Sequence, residues 1–156
     1  MQKKIANFIA GLKKSFLTNN PSVMFTILLA EDDIDDQELL AEAFSQIDPA
    51  INLVSFSTGR KILAYLETHD IPDIIVLDYN IPEINGADIL KHLDDRKRFD
   101  SVVKLVWSTS NSPLYENSCM QLGARAYLVK PSSISGLSEL AKKMLSFVSQ
   151  PSDFNA

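Results

Sequence analysis

The sequence has one cysteine, five glycines and no long uninterrupted apolar run among its 156 residues. A single thiol, Cys119, cannot close an internal disulfide, so the fold has to rest on packing, and the residue reads as a small core side chain. Five glycines without a glycine-rich phosphate loop argue against a nucleotide-binding fold. No stretch approaches the ~18 apolar residues of a membrane span. The apolar stretch at 5–12 is short and runs into Lys13 and Lys14, so it does not read as a signal peptide, and the cytoplasm is the expected compartment. An excess of positive charge is also missing. A net charge of −5 opposes direct contact with nucleic acid.

What is present suits one globular domain: 46% apolar and 22% charged residues in a chain long enough to bury a core. Residues 1–22 stand apart. Ile5, Phe8, Ile9, Leu12 and Phe16 recur at helical spacing with lysines opposite, until Asn19-Asn20-Pro21 breaks the pattern. A basic amphipathic helix can lie on an anionic membrane or dock on a partner. Packing against its own domain, or sequence ahead of a start at Met24, is the preferred reading. The expected organisation is an extension at 1–22, a domain at 23–149 and a tail at 150–156.

From residue 25 apolar runs alternate with amphipathic stretches. Strands are predicted at 25–30, 51–56, 74–77, 102–107 and 126–129, and helices at 34–47, 60–68, 87–95, 114–122 and 134–148. Five βα repeats joined by right-handed crossovers give a parallel sheet covered on both faces. The continuously apolar strands agree, since such strands are buried on both sides.

Ligands of open α/β sheets gather beyond the carboxyl ends of the strands. Glu31, Asp32 and Asp33 follow the first predicted strand, Asp78 the third, Ser108, Thr109 and Ser110 the fourth, and Lys130 and Pro131 the fifth. Ser57-Thr58-Gly59, after the second, reads as a helix cap. Acids from two strand ends repel one another unless their pKa values rise or a cation binds. A small all-oxygen set suits Mg²⁺. Asp33, Asp35 and Asp36 read as an acidic helix start favoured by the dipole, whereas Asp32, directly after its strand, reads as a metal ligand. Asp78 ends the most hydrophobic strand, and the next helix has a better cap in Asn85. Lys130 ends another apolar strand, where a cation can answer the acids or hold an anionic group attached to one of them. An aspartate nucleophile, a Mg²⁺ site, the Ser108 hydroxyl and a lysine together describe phosphoryl transfer to a carboxylate.

These residues resemble the receiver domain of bacterial two-component response regulators over residues 25–148. The resemblance is carried by Ile27-Leu28-Leu29-Ala30-Glu31-Asp32-Asp33, by Ile75-Val76-Leu77-Asp78-Tyr79-Asn80-Ile81-Pro82-Glu83-Ile84-Asn85-Gly86, and by Gly123-Ala124-Arg125-Ala126-Tyr127-Leu128-Val129-Lys130-Pro131. It implies a flavodoxin-like doubly wound (βα)5 fold with strand order 2-1-3-4-5. It also implies that Asp78 is the phosphoacceptor, that Asp32 binds Mg²⁺ with Glu31 assisting, and that the backbone carbonyl of Asn80 completes the set. Ser108 then stands at the family's switch hydroxyl, Tyr127 at its switch aromatic, and Lys130 at the phosphoryl-contacting lysine. A histidine kinase or phosphotransfer protein is the implied donor and another protein the implied target. A homodimer through the face of the fourth helix, fifth strand and fifth helix is a further implication.

With no second domain expected, output runs through partner surfaces. Trp107 before the switch hydroxyl, Thr109 after it and Ser132 after Lys130-Pro131 depart from the commonest pattern and bear on the dephosphorylation rate. Two rivals are weaker. A phosphatase of the haloacid dehalogenase type wants an acid two residues after its nucleophile, where this chain has Asn80. A phosphorylation-independent docking module does not need the intact set of Glu31, Asp32, Asp78, Ser108 and Lys130.

Overall fold

The computed structural model describes residues 24–148, so the readings for 1–22 and 150–156 lie outside the described residues. Strands β1 (Thr26–Ala30), β2 (Asn52–Phe56), β3 (Ile74–Asp78), β4 (Val103–Ser108) and β5 (Ala126–Val129) alternate with helices α1 (Ile34–Ile47), α2 (Gly59–Thr68), α3 (Gly86–Asp94), α4 (Pro113–Gln121) and α5 (Ile134–Ser146). All strand pairings are parallel, and the order is β2-β1-β3-β4-β5, the expected flavodoxin-like arrangement. A short 3₁₀ turn, Lys97–Phe99, leads into β4. Among the described residues no helix is long and apolar enough to cross a membrane.

The helix starts follow local chemistry. Asp33, Thr58, Asn85 and Ser133 each accept a hydrogen bond from a backbone N–H in the first turn of α1, α2, α3 and α5. These caps satisfy donors that a helix leaves unpaired. Thr58 and Asn85 are the caps the sequence predicts. Cys119 is fully buried as expected, and burial pushes its thiol up to about 11.

Strand side chains alternate between faces, and here the alternation makes two cores. Ile27 and Leu29 of β1, Ile74 and Val76 of β3, Leu105 and Trp107 of β4, and Leu128 of β5 pack with α1 and α5. Leu28, Ala30, Ile75, Leu77 and Val106 pack on the other face with Ile62 and Leu66 of α2, Ile89, Leu90 and Leu93 of α3, and Cys119 of α4. Each fully buried Leu or Ile contributes about 1.5–3 kcal/mol, so the two layers fix the strand register. That register places the site. Ala30 pairs with Leu77 and Asp78 with Trp107, which brings Glu31, one residue past Ala30, level with Asp78. Steps of two from Leu29, Val76 and Leu128 put Glu31, Asp78 and Lys130 on the α1–α5 side, together with Trp107. Ser108 and Tyr127 fall on the other side.

Candidate functional site

Lys130 is the hub of the site. Its ammonium donates to Glu31 Oε2 at 2.6 Å, Asp36 Oδ2 at 2.9 Å and Asp78 Oδ2 at 3.2 Å. It also lies 4.6 Å from the centroid of the Trp107 ring, within cation–π range. The backbone positions it, because Lys130 N–H donates to the Ser108 carbonyl at 2.8 Å, extending the β4–β5 ladder by one bond. Burial alone lowers a lysine pKa, but the hydrogen bonds to Glu31 and Asp36 outweigh it and hold Lys130 above its ordinary value.

Glu31 is closed off from solvent. Its Oε1 accepts from the Asp33 N–H at 3.0 Å, and its carbonyl accepts from Gln37 Nε2. Burial pushes its carboxyl up to about 7, opposed by the Lys130 hydrogen bond and the Asp33 N–H and helped by the charge of Asp78. The pair therefore responds unequally to pH: Lys130 keeps its proton throughout, while Glu31 takes one up as pH falls below neutrality.

Asp78 closes β3 and is buried. Its Oδ1 accepts from the Asn80 N–H at 3.0 Å, leaving Oδ2 toward Lys130. The loop behind it is tight. Glu83 has φ +69°, and the Gly86 N–H donates to the Tyr79 carbonyl at 3.1 Å. A Cβ on Gly86 would stand 2.8 Å from the Asp78 carbonyl oxygen, so only glycine permits this approach. Glu31, Asp32 and Asp78 each offer a carboxylate oxygen, all within 4.8 Å of one another. Octahedral ligands of Mg²⁺ at ~2.1 Å stand about 3–4 Å apart, so slight closure of this trio fits that ion. Asp32 is the exposed member, and Glu31 and Asp78 are both buried.

The structure divides the predicted residues in two. Glu31, Asp32, Asp78 and Lys130 come together, with Asn80 joined to them through its N–H. Ser108 is buried at the end of β4, where its hydroxyl accepts from the Ser110 N–H at 3.1 Å. The Tyr127 hydroxyl donates to the Ser110 carbonyl at 3.0 Å. Ser110 thus ties the serine and the tyrosine into one loop. Tyr127 meets Tyr79 edge-on at 6.4 Å, and Tyr79 stacks on Tyr115 of α4 at 4.4 Å. That stack links the residue after Asp78 to α4 and is not predicted from the sequence.

One reading needs correction. Asp33 caps α1 as its acidic start should, but Asp36 does more than favour the dipole, because its carboxylate bonds Lys130. Asp36 lies on the first turn of α1, at the side that faces β5's end. An acid four residues past Asp32 at a helix start was the available signal, but it could not be separated from ordinary dipole chemistry.

The response regulator receiver domain family matches residues 27–142. The two-component response regulator ORR3 of Oryza sativa is 25% identical over 119 residues, covering 76% of this chain and 89% of the rice protein. The response regulator RPA3017 in red light signaling of R. palustris is 28% identical with TM-score 0.71, over 78% of this chain and 92% of that one. The phosphorylated cyanobacterial phytochrome response regulator RcpA shares the fold at TM-score 0.76 with 24% identity, over 86% of this chain and all of its own (100%). With its strand order, its strand-end acids and its lysine in place, the chain belongs to the response regulator receiver domain family.

Proposed function

We propose that the chain is a phosphoacceptor signalling domain in which Asp78 takes a phosphoryl group from a histidine kinase or phosphotransfer protein in a Mg²⁺-dependent reaction. The observation that carries this reading is Asp78 itself, a buried strand-end carboxylate 3.2 Å from the ammonium of Lys130 and within the Glu31–Asp32–Asp78 trio. A carboxylate oxygen of Asp78 attacks phosphorus as the P–N bond of the donor phosphohistidine breaks. The freed imidazole nitrogen takes a proton, and an acyl phosphate remains. No redox change occurs. Glu31, Asp32, Asp78 and the Asn80 carbonyl would hold Mg²⁺, which when bound offsets the negative charge of the phosphoryl oxygens.

Lys130 supplies a second positive charge to the transferred group. Phosphorylation adds roughly one to two negative charges and strong acceptors, which favour the Ser108 hydroxyl turning toward them. Because Ser108 and Tyr127 both engage Ser110, a shift of that loop releases the tyrosine as well. The α4–β5 surface then changes shape for a partner protein or a second copy. Exposed Leu114, Tyr115 and Val129 give that surface apolar contacts to offer.

Incubation with acetyl phosphate and Mg²⁺ followed by intact mass tests the reading. One added phosphoryl group is expected, lost in Asp78→Asn and suppressed by a chelator. An unmodified wild-type mass favours a phosphorylation-independent docking module, and steady hydrolysis of phosphoesters favours a phosphatase.

A further inference from the structure

An ammonium has three N–H donors, and those of Lys130 meet three carboxylates. Two of the three acceptors, Glu31 and Asp78, also belong to the trio that would hold Mg²⁺. Asp36 does not. The Trp107 ring occupies a further side of the ammonium, and the Lys130 side chain is only 11% exposed against 36% for Asp36. The lysine therefore sits between an inner pair of carboxylates shared with the metal site and an outer carboxylate of its own. A divalent ion on Glu31 and Asp78 repels an ammonium on the same oxygens. Water gives little relief at a side chain so enclosed.

We propose that Asp36 is a positioning residue that retains Lys130 when Glu31 and Asp78 turn to Mg²⁺, so that both cations occupy the site together. This rests on the reading of Asp78 as phosphoacceptor and of the trio as a Mg²⁺ site. Without Asp36 the ammonium has only Glu31 and Asp78 as carboxylate partners and competes with the metal for them. With it, the ammonium moves outward across the Trp107 ring and stays within reach of a group carried on Asp78. Asp36 touches Lys130, not the reacting atoms, and acts only through that lysine.

A double-mutant cycle on Mg²⁺ affinity, read by calorimetric titration of the full chain, tests it. Asp36→Asn should weaken Mg²⁺ binding by a factor of about ten, the scale on which contacting charged groups couple. Exposed Asp35→Asn, the same charge change on the same helical turn, should weaken it by less than about threefold. In a Lys130→Met background Asp36→Asn should change the affinity by less than about twofold, and Asp36→Glu should restore most of the wild-type value. Thermal unfolding of each variant in chelator separates loss of fold from loss of binding. An equal effect of Asp35→Asn and Asp36→Asn, or an Asp36 effect that persists undiminished in Lys130→Met, overturns the proposal and leaves Asp78 as acceptor intact. Absence of both Mg²⁺ binding and phosphorylation in wild type removes both.

Discussion

Lys130 Nζ donates a 2.6 Å hydrogen bond to Glu31 Oε2, and the accepting carboxylate is sealed from solvent. The burial that sharpens this contact also works against ionising Glu31, so one residue sets both the charge and the pH response of the site.

The first prediction follows from that carboxyl. Native Glu31 holds its proton up to about pH 7, whereas an unfolded glutamate releases it near 4.5. Between those values the native state binds more protons, so stability falls as pH rises. The contribution is fully present below about pH 4.5 and is lost as pH rises through 7, a change on the order of 3 kcal/mol. In metal-free protein, the urea-unfolding free energy of wild type minus that of Glu31→Gln should decline from about pH 5 through 7 and level off about one unit above that. A difference that stays flat, or that rises over this range, contradicts the assignment. Mg²⁺ affinity should strengthen over the same interval as the competing proton leaves.

Gly86→Ala tests the support of the Asp78 backbone. The new methyl would meet the Asp78 carbonyl oxygen at 2.8 Å and Tyr79 Cα at 3.1 Å, both backbone atoms. Relief requires the end of β3 to move, at a cost of about 1–3 kcal/mol. The urea midpoint should drop accordingly, and phosphorylation by a small donor should slow with it. A variant with wild-type stability and rate would show that this approach is not constraining.

Trp107 carries an unusual liability. Its indole Nε1 is buried without a hydrogen-bond partner, while its ring faces Lys130 at 4.6 Å. Leaving a buried donor unsatisfied costs about 1–3 kcal/mol, so Trp107→Phe removes that penalty while it gives up ring volume. The net destabilisation should be about 1 kcal/mol or less, far below the 3–5 kcal/mol typical of truncating a core aromatic to alanine. Chemical denaturation checks this. A loss of several kcal/mol would mean that the indole, not merely an aromatic ring, is required.

Much of this was legible in the sequence because the strands are apolar from end to end, so Asp78 and Lys130 announce themselves as charged residues at strand termini. The caps Thr58 and Asn85 were equally readable, since capping depends on a few adjacent residues. Asp36 was not. Its partner is 94 residues away, and only the register of Ala30 with Leu77 and Asp78 with Trp107 reveals that Glu31, Asp78 and Lys130 share the α1 side. The Tyr79–Tyr115 stack was hidden for the same reason, because a loop residue and a helix residue carry no common periodicity. Element ends moved by a residue or two where capping, rather than hydrophobic pattern, decides them.

The most direct test of the account is to locate the phosphoryl group. Protein treated with acetyl phosphate and Mg²⁺ is reduced with borohydride, which converts an aspartyl phosphate to homoserine, then digested and sequenced by tandem mass spectrometry. Homoserine at position 78, absent when Mg²⁺ is chelated, is the predicted result. An unreduced Asp78, or homoserine at Asp32 or Asp36 instead, would contradict it.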